Sequence, residues 1–252
     1  MRCLIVVPVH NEEKYLDGIL RQVRRCAPEC DILAIDDGSS DASPQILRQF
    51  PDIAVLTHER NYGYGRTLAD AFAYADEWGY DWAITLDADE QHDPEQIQEF
   101  LRSAARDDAD IISGSRYMKE QSSYQQVPGD RRQINHLITV LLNNVLGLCL
   151  TDSFCGFKAY RVEGLRRLRL TVAGYAFPIQ FWVQTARAGL RIEEIPIKLI
   201  YHDPTRRFGG GLDDAAVRLR HYVEVLVSEL AEPVGPVPIP EGSVSCCPCG
   251  PC

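Results

Sequence analysis

No stretch of this 252-residue chain stays apolar for the ~20 residues a helix needs to cross a bilayer. The longest apolar-rich segment, residues 137–150, is interrupted by Asn143-Asn144. The opening run Met1-Arg2-Cys3-Leu4-Ile5-Val6-Val7 ends at Pro8 and is too short for a signal peptide, so neither a transmembrane helix nor a secretory leader is expected. Positive charge is also scarce. With 26 Lys and Arg against 36 Asp and Glu the formal net charge is -10, which argues against nucleic acid as a partner and leaves room for local phosphate-binding patches. There is no Walker-type glycine loop, and Gly63-Tyr64-Gly65 lacks the third glycine and preceding strand of a dinucleotide fingerprint. A Gly-x-Ser-x-Gly elbow, zinc spacing among the histidines and internal repeats are absent too. Any nucleotide must therefore be held through metal, carboxylates and arginines.

The composition, 45% hydrophobic and 25% charged, is that of a globular protein long enough for a full core. Of nine cysteines, Cys246, Cys247, Cys249 and Cys252 crowd the end, while Cys3, Cys26, Cys30, Cys149 and Cys155 show no pairing pattern. Reduced thiols and a cytoplasmic location fit this usage. The terminal cluster follows a Pro-rich run, residues 233–240, and reads as a disordered tail rather than a metal or lipid site. The expected organisation is one domain over 1–230 and a Pro/Gly/Cys-rich tail over 231–252.

Apolar runs alternate with helical patterns. Strands are predicted at 3–9, 31–35, 53–57, 82–86 and 110–114, and helices at 12–26, 44–50, 65–78 and 94–107. This βαβ alternation predicts an α/β fold with a mostly parallel central sheet flanked by helices. In such sheets ligands bind beyond the carboxyl ends of the strands, and polar residues collect there: Pro8-Val9-His10-Asn11-Glu12, Asp36-Asp37-Gly38, Asp87-Ala88-Asp89 and Gly114-Ser115-Arg116. Asn11, Asp37 and Ser43 are also good helix N-caps, the plainer reading of each cluster.

Asp87 and Asp89 close the apolar segment 82–86. Two carboxylates one residue apart at the end of a buried strand are poorly placed for packing and well placed for a hard divalent cation, Mg²⁺ or Mn²⁺. An extended backbone would aim both the same way, whereas a turn at Ala88 would let them diverge. Gln91 could add an amide oxygen. His92 could add an imidazole, but His92-Asp93-Pro94-Glu95 reads as the approach to a helix capped by Asp93.

The ordered set Pro8-Val-His-Asn-Glu-Glu, Asp36-Asp-Gly-Ser-Ser-Asp, Asn61-Tyr-Gly-Tyr-Gly, Asp87-Ala-Asp and Gly114-Ser-Arg resembles the inverting family 2 glycosyltransferases, over about residues 1–215. Within them it is most similar to the dolichol-phosphate mannose synthases and bacterial polyprenyl-phosphate glycosyltransferases. The resemblance implies a GT-A fold, a nucleotide-sugar donor of GDP-mannose or UDP-glucose type, and a divalent metal. It places Pro8, His10, Glu12, Asp36 and Ala88 in the donor pocket, and Asp87 on the nucleotide sugar. It gives the metal to Asp89 and Gln91, phosphate contacts to Arg116 and Arg206, and a catalytic place to Asp152. Two departures lie on the acceptor side: Leu212 stands where those synthases carry a lysine, and Gln180 where they carry a glutamate.

The implied reaction is inverting transfer of a hexose to a polyprenyl phosphate. A phosphate acceptor is already anionic and needs no strong base, whereas a hydroxyl acceptor would need one, for which Asp152 is the candidate. A degenerate nucleotide-sugar-binding module is the non-enzymatic alternative. Ile134, Leu137, Ile138, Leu141, Leu142, Val145 and Leu146 recur at helical spacing after Arg131-Arg132, so this helix either lies peripherally on a membrane or packs on the sheet. Residues 221–227 suggest a further terminal helix.

Overall fold

The structure is a computed structural model that describes residues 1–118, 129–198, 200 and 211–232. Arg206 and the cysteine tail, both singled out above, lie outside the described residues. The elements run β1 (Cys3–Val9), α1 (Leu16–Cys26), β2 (Asp31–Asp36), α2 (Ser43–Leu47), β3 (Ala54–Thr57), α3 (Tyr64–Glu77), β4 (Trp82–Thr85), a 3-10 turn (Pro94–Gln96), α4 (Ile97–Ala105) and β5 (Ile111–Ser115). These follow the predicted alternation closely. The helix predicted from residue 12 begins at Leu16, because Glu12 first closes a turn by accepting the Tyr15 and Leu16 amides on its carbonyl. Beyond them come α5 (Gly129–Leu146), β6 (Lys158–Arg161), α6 (Val162–Leu165), α7 (Phe177–Arg187), β7 (Ile192–Pro196) and α8 (Ala215–Ala231).

One seven-stranded sheet has the order β3-β2-β1-β4-β6-β5-β7. All neighbours are parallel except β6, which runs antiparallel between β4 and β5. Strand alternation sends Cys3, Ile5, Val7 and Val9 into a core beneath α1, α2 and α4. Leu4 and Val6 enter a second core with α3, α5, α6, α7 and α8. The apolar stripe of α5 is divided: Ile134, Ile138 and Leu142 are buried in that core, while Leu137, Val140 and Val145 are exposed. No helix among the described residues is long and apolar enough to cross a membrane.

The sheet positions the site at its reversal point. The chain builds outward from β1 to β2 and β3, then returns to place β4 on the other side of β1, and the carboxyl ends beside that reversal are where open α/β sheets form their ligand crevice. The β1–β4 ladder ends at Val6↔Thr85, followed by the Leu86 amide donating to the Val6 carbonyl at 3.0 Å. Pro8 lies two residues further, so its nitrogen faces the side from which β4 has departed. A proline is tolerated in this central strand because no ladder bond is lost there.

Candidate active site

At the end of β1, His10 Nδ1 donates to the Asp37 carbonyl at 2.8 Å and Nε2 accepts from the Asn11 amide at 3.2 Å. Glu12 is buried, its amide donating to Ser43 Oγ at 2.9 Å. Asp36, buried at the end of β2, accepts the Ser39 amide at 3.0 Å. Asp37 accepts His58 Nδ1–H at 2.7 Å and the Tyr62 and Gly63 amides at 2.8 and 2.9 Å. Asp37 and Asn11 thus tie loops together rather than capping the next helices. Asn11 Oδ1 accepts the Ser40 amide at 2.8 Å, and the N-cap position of α1 is Tyr15, which makes no side-chain cap bond. Ser43 lies inside α2, whose N-cap position is Ala42.

After β4 the chain turns at Ala88 and Asp89, with Glu90 in the left-handed region at φ 58°, so the segment is a turn and not an extended strand. Asp89 Oδ1 accepts the Gln91 amide at 3.1 Å. The Gln91 carbonyl accepts the Ile200 amide at 3.0 Å. The Asp87 side chain, 31% exposed, is hydrogen-bonded by the Tyr64 hydroxyl, whose pKa is raised well above 10.0 by burial and then by that carboxylate. Gly156 lies so close that a Cβ there would sit 2.5 Å from Asp87 Oδ2. Asp93 caps the 3-10 turn as predicted, accepting the Glu95 amide at 3.1 Å. His92 is buried, 5.3 Å from the Phe157 ring, with Nδ1 3.9 Å from Asp87 Oδ2 and without a hydrogen-bond partner among the described residues. Burial holds its pKa below the ordinary value, against the pull of Asp87 and Asp89.

Among the described residues no three His, Cys, Asp or Glu side chains gather into a ready-made metal cage. Asp89 and Gln91 instead offer a small set of hard oxygen donors. That set fits Mg²⁺ or Mn²⁺, which retain positions for water and substrate phosphates.

Arg116 follows β5 and pairs with Asp152 bidentately, Nε to Oδ2 at 2.6 Å and Nη2 to Oδ1 at 2.8 Å. Asp152 is fully buried; burial alone would raise its pKa, but Arg116 outweighs it and holds the carboxyl below 3.8. Glu194 of β7 accepts the Thr151 and Asp152 amides at 2.7 and 3.0 Å and fixes the loop that carries the pair. Lys158 is buried beside it, its ammonium donating to the Cys155 carbonyl. Burial lowers the Lys158 pKa, opposed by Cys155 and Asp152. Tyr64, His58, Gly156, Lys158 and Glu194 were not singled out from sequence for a role here; only Tyr64 stood within a quoted motif.

The two departures have local explanations. Gln180 Oε1 accepts the Thr171 and Val172 amides at 2.6 and 2.8 Å, and Nε2 donates to Glu229 Oε1 of α8 at 2.5 Å. A carboxylate is present in this cluster but comes from α8. Leu212 offers its carbonyl to Arg218 Nη1 at 2.6 Å, and Asp214 caps α8 through the Ala216 and Val217 amides, both at 2.9 Å.

The chain is 31% identical over 231 residues to an undecaprenyl-phosphate mannosyltransferase of Micrococcus luteus, covering 88% of this chain and 94% of that protein. It is 28% identical over 204 residues to a polyprenol monophosphomannose synthase of Mycolicibacterium smegmatis, covering 78% and 76%. Glucosyl-3-phosphoglycerate synthase from Mycobacterium tuberculosis, crystallised with uridine diphosphate, superposes with a TM-score of 0.72 at 18% identity, over 92% of this chain and 81% of that one. That likeness shows the GT-A fold. The sequence profile described as glycosyl transferase family 2 matches residues 4–169, and with the first relative it establishes that this chain is a member of glycosyl transferase family 2.

Proposed function

We propose that this glycosyltransferase moves a hexose, mannose or glucose, from a nucleotide sugar to a polyprenyl phosphate with inversion, in a metal-dependent reaction. The observation that carries the acceptor class is the state of Asp152. It is wholly buried and spends both oxygens on Arg116, so it is poorly disposed to take a proton from a hydroxyl. A phosphate acceptor needs no such base. The names of the two similar enzymes, one acting on undecaprenyl phosphate and one making a polyprenol phosphomannose, support the same class.

In this reading Pro8, His10, Glu12, Asp36 and Ala88 line the nucleoside end of the β1–β4 crevice, and Asp87 contacts the sugar nucleotide. Asp89 and Gln91 would hold the cation, which supplies charge neutralisation for the departing diphosphate. Arg116 keeps guanidinium N–H donors beyond the two that Asp152 takes, and with Arg206 it meets phosphate. The acceptor oxygen forms a bond to the anomeric carbon on one face while the bond to the diphosphate breaks on the other. Positioning and charge stabilisation carry the catalysis. The exposed Leu137, Val140 and Val145 of α5 form a surface for peripheral contact with the membrane that holds the lipid.

The test is transfer of labelled hexose from GDP-mannose or UDP-glucose to undecaprenyl phosphate with Mn²⁺, by the wild type and by Asp152→Asn. Lipid-linked product from the wild type, retained by the variant at a temperature where it is folded, supports the reading. Transfer only to a hydroxyl acceptor, abolished in the variant, would overturn it.

A further inference from the structure

Asp87 is enclosed by three elements. The Tyr64 hydroxyl at the start of α3 hydrogen-bonds it, Gly156 leaves no room on a second side, and the buried ring of His92 faces it from a third. His92 Nδ1 is 3.9 Å from Asp87 Oδ2, about 1 Å beyond hydrogen-bond reach, and has no hydrogen-bond partner among the described residues. The imidazole is packed 5.3 Å from Phe157 and is 4% exposed, whereas the Asp87 side chain is 31% exposed. Any closure of that gap is therefore a movement of the carboxylate.

Fold stability does not account for a histidine here. A buried ring nitrogen without a partner is destabilising, and an apolar ring of similar shape would pack against Phe157 without that defect. Electrostatics selects the tautomer. A bare Nδ1 would turn its lone pair toward Asp87, whereas Nδ1–H turns a donor toward it. At the other end of the ring, Nε2 lies 4.0 Å from Cys155 Sγ, whose thiol is kept protonated because burial first, and Asp152 second, push its pKa up to about 12.

We propose that His92 is a positioning residue for the reaction: its Nδ1–H is the donor that, opposite Tyr64, sets the orientation of the Asp87 carboxylate toward the nucleotide sugar. The inference rests on Asp87 being the donor contact given above.

The experiment compares the wild type with His92→Phe, His92→Gln and Asp87→Asn, using GDP-mannose or UDP-glucose with Mn²⁺ and undecaprenyl phosphate. His92→Phe keeps the ring and removes the donor, so kcat is expected to fall about 10- to 100-fold with little change in donor KM and no loss of Tm. His92→Gln, which restores an N–H donor, is expected to recover part of the loss. Wild-type kcat in His92→Phe beside an inactive Asp87→Asn overturns the positioning role alone; an Asp87→Asn enzyme as active as wild type overturns the Asp87 reading as well. A second measurement needs neither a donor nor a variant that folds. Long-range ¹H–¹⁵N spectra of the wild type should place the His92 proton on Nδ1, and a proton on Nε2 overturns the proposal.

Discussion

Replacing Gly156 by alanine probes the site without touching a charged group. The backbone at 156 is not left-handed, so alanine has no conformational objection to it. Its Cβ would arrive 2.5 Å from Asp87 Oδ2 and 3.0 Å from both Asp87 Oδ1 and the Tyr64 hydroxyl. Non-bonded carbon and oxygen prefer about 3.3 Å or more, so Oδ2 must retreat by about 0.8 Å. The clash is with the tip of a partly exposed side chain, so the cost to the fold lies at the low end of the about 1–3 kcal/mol typical of overpacking. Catalysis is less tolerant, because a displacement near 1 Å costs on the order of 100-fold in rate. Steady-state hexose transfer, with thermal unfolding as the control, should show kcat reduced by about that factor and a nearly unchanged Tm. An unchanged kcat in a folded Gly156→Ala protein would refute the claim that the Asp87 position matters.

Three further outcomes follow from the same geometry. Asp89→Asn keeps an oxygen to accept the Gln91 amide, so it should unfold much like wild type while losing metal-dependent donor binding, which calorimetry with and without Mn²⁺ detects. Burial tends to raise the Asp152 pKa and Arg116 more than reverses it, leaving the folded value below 3.8. The stabilisation from the pair is therefore complete above that unfolded value and lost as pH falls through the lower folded one. Denaturant midpoints should drop on acidification, and Asp152→Asn, destabilised by about 3–5 kcal/mol at neutral pH by an orphaned Arg116, should show a shallower acid slope. Gln180→Glu would set a carboxylate against Glu229 at the present 2.5 Å contact and should cost about 2 kcal/mol. Adding Glu229→Gln should return most of that loss, a coupling that a double-mutant cycle in urea measures.

The first five strands and the helices between them were legible in the sequence, because each is a local pattern. Alternating or continuous apolar runs mark the strands, and turn residues separate them. The strand-end carboxylates were legible for the same reason: a polar cluster after an apolar run has one place to go in a parallel sheet. β6 and β7 were not. Lys158–Arg161 is four residues with a basic residue at each end, and it forms a strand only because β4 and β5 accept it between them. The turn that separates Asp87 from Asp89 was one of two possibilities until the backbone chose it. The pairing of Arg116 with Asp152 spans 36 residues, and the meeting of Gln180 with Glu229 spans 49. No periodicity encodes such contacts, because loop closure and packing decide them. The local pattern of the chain was enough for the order of strands and helices through Ser115 and for the polar residues carried at the strand ends. Which side chains of that rim meet, that Gly156 and His92 stand against Asp87, and that Asp152 is bound to Arg116 and not available as a base were set by packing between distant segments, since each depends on surfaces that come together when the two cores close on the sheet.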